Sequence, residues 1–274
     1  MISIKLSGLF VYPVKSLAGI SVPRWPVVET GLKYDRKWMI VDESGQFLSQ
    51  RKMASLALIK TSLTESELIL SAPAMKDLVL PLESGEGDLV PVTIWHDQGF
   101  ARTVSSEADR WLSRFLRMDC RLVRQPDDEI RKVDPAYGGP ADRVAFSDGF
   151  PFLLVSENSL ASLNEAMRLI LPMSRFRPNL VVSGCAAYAE DAWREIGIGA
   201  IGFRLPKPCS RCVVPTIDQE TGAMGKEPLA TLNRTRKWQN KVYFGQNALH
   251  DRCGELRIGD EVRIKSTGPQ QPPL

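Results

Sequence analysis

The stretch Pro206-Lys-Pro-Cys-Ser-Arg-Cys-Val-Val-Pro-Thr-Ile-Asp-Gln-Glu-Thr-Gly222 restricts this chain more than any other. Pro206 and Pro208 fix their own φ and push the residues before them toward extended backbone, which argues against a helix. Cys209 and Cys212 are therefore expected on a stiff loop, with Lys207 and Arg211 beside them. The β-rich run 213–217 follows, and its internal Pro215 points to a sheet edge. Residues 218–222 read as a turn. A thiolate flanked by cations serves either as a nucleophile or as a soft metal ligand.

Upstream, strand signals dominate. Residues 2–13 alternate and end at Tyr12-Pro-Val-Lys-Ser16, where the proline leaves Lys15 and Ser16 in a loop. Residues 36–42 and 47–51 flank Glu43-Ser-Gly-Gln46 as a hairpin, and 57–62 with 68–71 form a second one. Further strands fall at 78–82 and 90–95, so the first part reads as a β-barrel or sandwich. Ser105 or Ser106 caps a helix whose Ala108, Trp111, Leu112, Phe115 and Leu116 form one apolar stripe. Residues 120–124 read as a strand, and 125–143, rich in Pro, Gly and charge, as a domain boundary or lid.

The second part brings a strand at 152–155, a helix capped by Ser156, and a buried strand at 180–184 after Arg177-Pro-Asn179. Residues 228–238 form a short helix, 256–264 close as strand, turn, strand, and 265–274 are a disordered tail. The fold class is thus mainly β with a few helices, α+β, in two barrel-like domains at 1–124 and 125–264.

At 274 residues, 43% apolar and 24% charged, the chain can bury a substantial core. Its net charge of +3 is spread without a basic run, so no nucleic acid polymer is expected as partner. No apolar run reaches membrane-spanning length, and the N-terminus does not read as a signal peptide. Five widely spaced cysteines make no disulfide framework, and a cytoplasmic protein is expected.

The Cys209/Cys212 pair admits several uses. With His250 and Cys253 it could build a structural zinc site. A thioredoxin-like redox pair fits less well, because that motif opens a helix. One metal-ligating thiolate with an incidental neighbour suits the cationic loop, and a buried inert pair is the bland alternative. Lys15, Arg36, Arg51, Arg177 and Arg211 lie at strand ends and loops; together they suit an anion, and singly each is an ordinary surface charge. Asp148 could orient a cofactor, relay a proton, or cap an Asx-turn. His96 reads as a surface turn residue. With two histidines and neither a P-loop nor G-x-G-x-x-G, no serine triad or nucleotide site is indicated.

Seven short motifs in one order carry a resemblance: Tyr12-Pro-Val-Lys-Ser16, Asp35-Arg36, Phe176-Arg-Pro-Asn179, Ser183-Gly-Cys185 with Tyr188-Ala-Glu-Asp191, Cys209-Ser-Arg-Cys212, Thr216-Ile-Asp218 through Gly222, and Phe244-Gly-Gln246. The chain resembles the MOSC family, and within it the amidoxime-reducing component of mitochondria and its bacterial relatives. The resemblance implies one molybdenum–molybdopterin (a pyranopterin dithiolene) per chain, with Cys212 as the protein ligand. Lys15, Ser16, Arg36, Arg177, Asn179, Ser210 and Arg211 match positions that hold the pterin and its phosphate. Arg51, Ser147 and Asp148 complete the cofactor-binding set, with Asp148 also a proton relay.

The implied activity is two-electron reduction of N-hydroxylated small molecules such as hydroxylated purine bases, amidoximes and hydroxylamines. A separate donor, a flavodoxin, ferredoxin or reductase, is expected to supply the electrons. Gly149 stands where relatives often carry a hydroxyl residue, and Gln219 where a proline is usual. A non-catalytic carrier of the cofactor or of sulfur would share every binding residue, and a zinc-stabilised interaction protein is the other rival.

Overall fold

Burial on both faces marks the centre of a sheet, and the strand Phe152–Ser156 has all five residues buried. In this computed structural model, which describes residues 3–83 and 87–273, Phe152 and Leu154 face one core while Leu153 and Val155 face another. The strand pairs parallel with Leu180–Ser183 and antiparallel with Lys241–His250. The sheet order runs Lys5–Val11, Leu180–Ser183, Phe152–Ser156, Lys241–His250, Ile201–Ser210, Trp193–Ile198, Val262–Thr267. Its ends curl back together: Val262 N–H donates to the Ile4 carbonyl at 2.8 Å, and Leu6 N–H to the Asp260 carbonyl at 2.9 Å. The mainly β, two-unit fold expected from the sequence is the fold observed.

Strand pairing crosses the expected boundary at residue 124. The first strand, Lys5–Val11, pairs antiparallel with Leu180–Ser183, and Arg24–Val28 pairs with Gly254–Arg257. Leu6, Leu9, Val11, Val22, Val27 and Leu32 share one core with Phe152, Ile196 and Phe203. The apolar alternation of the first strand is therefore satisfied by the second half of the chain. The chain starts in the second unit, crosses to build the first, and returns.

In the first unit, Trp38–Asp42 pairs with Cys120–Arg124, followed by Asp97–Thr103 and Leu89–Ile94. Trp38 and Ile40 pack with Ala108, Leu112 and Leu116 of helix α1 (Ser106–Leu116), while Met39 and Val41 pack with Phe47 and Phe146. Ser105 is the cap, its Oγ accepting from Ala108 N–H at 3.1 Å. Lys60–Leu63 and Glu67–Ser71 form the expected second hairpin. The expected first hairpin shrinks to a single bridge, Val41 to Phe47, and the Phe47 N–H donates instead to the Thr93 carbonyl at 3.1 Å.

Residues 125–143 contain a short pair, Arg131–Lys132 with Arg143–Val144. The Arg131 guanidinium pins it, donating to the carbonyls of Ala145 (2.6 Å) and Ser147 (2.9 Å) and to Asp97 (2.7 Å). The tail expected to be disordered from residue 265 is instead held. Residues 265–267 complete a strand, and Gln271 N–H donates to the Asp191 carbonyl at 2.9 Å. The buried Gln246 amide donates to the Gln271 carbonyl at 3.0 Å, so a polar group inside the fold recruits the tail as its partner.

Candidate functional site

The two units meet at a solvent-open cleft with about 940 Å³ between its walls. Lys15, Ser16, Arg36, Arg51, Ser147, Asp148, Arg177, Asn179, Ser210, Arg211 and Cys212, all singled out from the sequence, line it together.

Tyr12 is the floor of the cationic side. Its buried ring carries the guanidinium of Arg36, Cζ at 4.2 Å from the centroid, and that of Arg177 at 4.4 Å. The phenol donates to the Pro178 carbonyl at 3.0 Å, and burial pushes its pKa up to about 12 against the pull of Arg177 and Arg36. Arg36 binds the buried Asp35 carboxylate and donates to Asn179 Oδ1 at 3.1 Å. Arg177 donates to the Leu17 carbonyl at 2.6 Å. Burial first, and then the like charge of Arg36, lower Arg177 to about 10, which leaves it a cation at neutral pH.

Backbone geometry supports the same reading. Ser16, Arg36 and Arg177 have φ of 71°, 49° and 54°. A left-handed non-glycine residue costs of order 1–3 kcal/mol and tends to mark a functional turn. Three of them point side chains into one cleft.

At the mouth, the buried Lys15 ammonium binds Asp148 Oδ1, which also accepts from Trp95 Nε1 at 3.0 Å. Desolvation pushes the Asp148 carboxyl up, weakly for a side chain 62% exposed, and the charge and hydrogen bond of Lys15, with Trp95 and Arg51, hold it well below the carboxylate range. Arg51 lies on the Trp95 ring, Cζ 4.0 Å from its centroid, and Phe47 meets that ring edge-on.

The cysteine stretch departs from expectation in form. Residues 206–210 belong to the long strand Ile201–Ser210, with irregular register around Pro206 and Pro208, where ladder donors are missing. The run 213–217, expected as an edge strand, contains a 3-10 turn, Val214–Thr216, with Pro215 near its start. The turn at 218–222 is formed as expected, Asp218 Oδ1 accepting from the Glu220 and Thr221 N–H groups at 3.0 and 2.9 Å.

The two sulfurs differ. Cys209 Sγ accepts from Arg211 Nη1 at 3.1 Å, and its side chain packs against the core of Leu153, Phe176 and Phe244. Cys212 is half-buried in the cleft wall and has no hydrogen-bond partner among the described residues. The zinc set is not assembled. Phe203 pairs with His250 in register, which puts the ring roughly 15–20 Å along the strand from Cys209. His250 Nε2 faces the Val28 carbonyl at 2.8 Å, and Cys253 is exposed.

Three buried polar atoms of the cleft lack partners among the described residues: Ser147 Oγ, Gln50 Oε1 and Arg211 Nε. Such atoms are uncommon inside proteins, and a polar ligand seated in the cleft would satisfy them. Sequence reasoning passed over Gln50, Trp95 and Phe47. The available signal for Trp95 was a bulky ring in a tight turn, where it adopts φ 57° between Leu89–Ile94 and Asp97–Thr103.

Residues 3–119 match the MOSC N-terminal beta barrel domain, and 141–263 match the MOSC domain. The chain belongs to the MOSC family. It is 36% identical to mitochondrial amidoxime-reducing component 1 of Mus musculus, over 94% of this chain and 82% of the relative, and 34% identical to the Homo sapiens protein over the same shares. The molybdenum cofactor sulfurase of Solanum lycopersicum is 32% identical over 94% of this chain, which spans 35% of that longer protein. In this MOSC protein the two matches leave residues 120–140 between them, and the pinned pair joins that stretch, through Arg131–Lys132, to Arg143–Val144 of the second match.

Proposed function

We propose that the chain is a molybdenum-cofactor-dependent reductase of N-hydroxylated compounds, holding one molybdenum–molybdopterin in the cleft with Cys212 as the metal's protein ligand. The observation that carries this is the convergence, in one cleft, of cations from both units, one unengaged thiol, and three buried polar atoms without partners. An organic chelate bearing a phosphate, ring N–H and carbonyl groups, and a soft metal meets each of these needs. The relatives named amidoxime-reducing component support the same assignment.

Arg36, Arg177 and Arg211 would hold the anionic part, with Ser16, Asn179, Ser147 and Ser210 as polar contacts. Asn179 is itself fixed: Oδ1 accepts from Arg36, and its amide donates to the Phe10 carbonyl at 3.2 Å. When bound, the molybdenum centre supplies the two-electron redox chemistry. The balance is one N–OH group, two electrons and two protons giving N–H and water. Lys15 and Asp148 form a proton-holding pair at the mouth, the ammonium as donor and the carboxylate as acceptor. Electrons would come from a separate flavodoxin, ferredoxin or reductase. Among the described residues, no helix is long and apolar enough to cross a membrane, and a cytoplasmic setting is part of the proposal.

The test is metal analysis and benzamidoxime turnover with reduced viologen, after expression in a host that makes molybdopterin. Cys212→Ala is expected to abolish turnover, and Cys209→Ala to keep most of it. Zinc near one per chain without molybdenum, or equal loss in both variants, would overturn the reading. Similarity to molybdenum cofactor sulfurase favours one alternative, a carrier of the cofactor or of sulfur. A cofactor-loaded protein that fails to turn over would point there.

A further inference from the structure

Gln50 lies outside every motif that led to the cofactor assignment, yet it occupies a decisive place in the cleft. Its side chain is buried, with 1% of the residue exposed, and it lines the cleft between the two units. The amide donates through Nε2 to the Ser16 carbonyl at 2.5 Å, which ties residues 49–51 to the turn that presents Lys15 and Ser16. This bond commits the nitrogen and aims the oxygen elsewhere. Gln50 Oε1 is left buried, unpartnered among the described residues, and able only to accept.

A buried acceptor without a donor costs of order 1–3 kcal/mol, so such a group implies a donor supplied from outside the chain. Five of the polar side chains facing this space are cations, Lys15, Arg36, Arg51, Arg177 and Arg211, and the serines that line it can donate as well as accept. The cations suit the phosphate and carbonyl side of a ligand and cannot read an N–H. Of the other acceptors, Asp148 Oδ1 is engaged by Lys15 and Trp95, and Asn179 Oδ1 by Arg36 and the Leu153 N–H; Gln50 Oε1 is the buried carbonyl-type oxygen of the cleft left open among the described residues.

We propose that Gln50 is a cofactor-recognition residue, whose Oε1 accepts a hydrogen bond from a ring or amino N–H of the bound pterin. This rests on the function proposed above. Through the Nε2 bond the same side chain couples cofactor binding to the Ser16 turn. The first unit then contributes a reader of the pterin's identity in addition to positive charge.

The test uses full-length protein expressed in a molybdopterin-making host. Pterin per chain is measured by fluorescence after oxidative release, and molybdenum per chain by elemental analysis. Gln50→Met keeps the side-chain length and removes both polar atoms; it is expected to lower pterin content about tenfold, the worth of one hydrogen bond. Thr61→Val is the control, since Thr61 Oγ1 donates to the Ala18 carbonyl at 2.8 Å and so tethers the same loop from outside the cleft. Thr61→Val is expected to keep wild-type pterin content, and thermal unfolding by circular dichroism is expected to show both variants folded. Wild-type pterin content in Gln50→Met, with or without a raised KM, would overturn the proposal, as would equal loss in both variants. Wild-type protein carrying no pterin would instead overturn the proposed function, so the two failures are distinct.

Discussion

Lys15 is an ammonium with a side chain 7% exposed, in a setting where burial disfavours the charged form. Burial lowers its pKa, the charges of Arg131 and Arg36 push the same way, and the charge and hydrogen bond of Asp148 oppose them. Because its folded pKa lies below the ordinary 10.5, a charged Lys15 costs stability at any pH under that value, and the cost fades as pH rises and the proton leaves. Asp148→Asn removes the opposing carboxylate. The variant is therefore expected to melt below wild type at pH 6–8, with the gap narrowing toward pH 10. Paired thermal melts across that range check it, and a gap independent of pH would mean that the two groups are not coupled. The pair was only partly legible in the sequence: Lys15 and Asp148 were both singled out, but nothing at a separation of 133 residues announces that they touch.

At the scale of elements, local signals were read well where they are local. The Ser105 and Ser156 caps both form, each Oγ accepting from the N–H three residues on. They differ in what lies behind them. Ser105 is half-buried, whereas helix α2 (Glu157–Met167) begins in a buried network: Ser159 Oγ donates to Glu190 Oε1 at 2.7 Å, and Ser156 N–H donates to the same oxygen at 3.1 Å. Burial raises the Glu190 carboxyl, and these donors work to keep it charged. Ser105→Ala is expected to cost about 1 kcal/mol, the usual worth of a cap. Ser159→Ala is expected to cost about 2–3 kcal/mol, because it leaves a buried carboxyl short of a donor. Urea unfolding midpoints at constant slope decide it, and equal costs would remove Glu190 from the account. What the sequence hid were elements whose reasons are distant. Lys241–His250 is ten residues long and central to the sheet, yet Gly245, Gln246 and Asn247 break its apolar pattern. Gly245 adopts φ 79° where a Cβ would meet the Leu154 carbonyl at 2.8 Å, and Gln246 is buried because Asp191 accepts from it at 2.7 Å. Ile201–Ser210 was masked in the same way by its two prolines, which an irregular register accommodates.

For the whole molecule, the decisive fact is that the cleft lies where the chain passes between its two units. Three passes are laced together by backbone hydrogen bonds: Lys15 N–H to Trp38 O at 2.8 Å, Arg36 N–H to Tyr12 O at 2.7 Å, and Phe146 N–H to Arg36 O at 2.9 Å. The cations gather because the crossing segments must lie side by side, and each crossing contributes its turn. A division of the chain near residue 124 would therefore destroy more than the cleft. A fragment beginning at 125 loses Leu6, Leu9, Val11, Val22, Val27 and Leu32 from the core of the second unit. At about 1.5–3 kcal/mol for each fully buried side chain, the loss is roughly 9–18 kcal/mol, as large as the whole stability of a typical domain. Fragment 125–274 is thus expected to show no cooperative thermal transition. Fragment 34–124 loses only Val14 and Leu17 from the main core of the first unit and is expected to keep one. In the full chain, far-UV circular dichroism and tryptophan fluorescence should report a single coincident transition, since the laced crossings bind the units to one fate. Cooperative folding of 125–274 alone would show that the first strand is an addition to the second unit, and the cleft would then be a contact between independent domains.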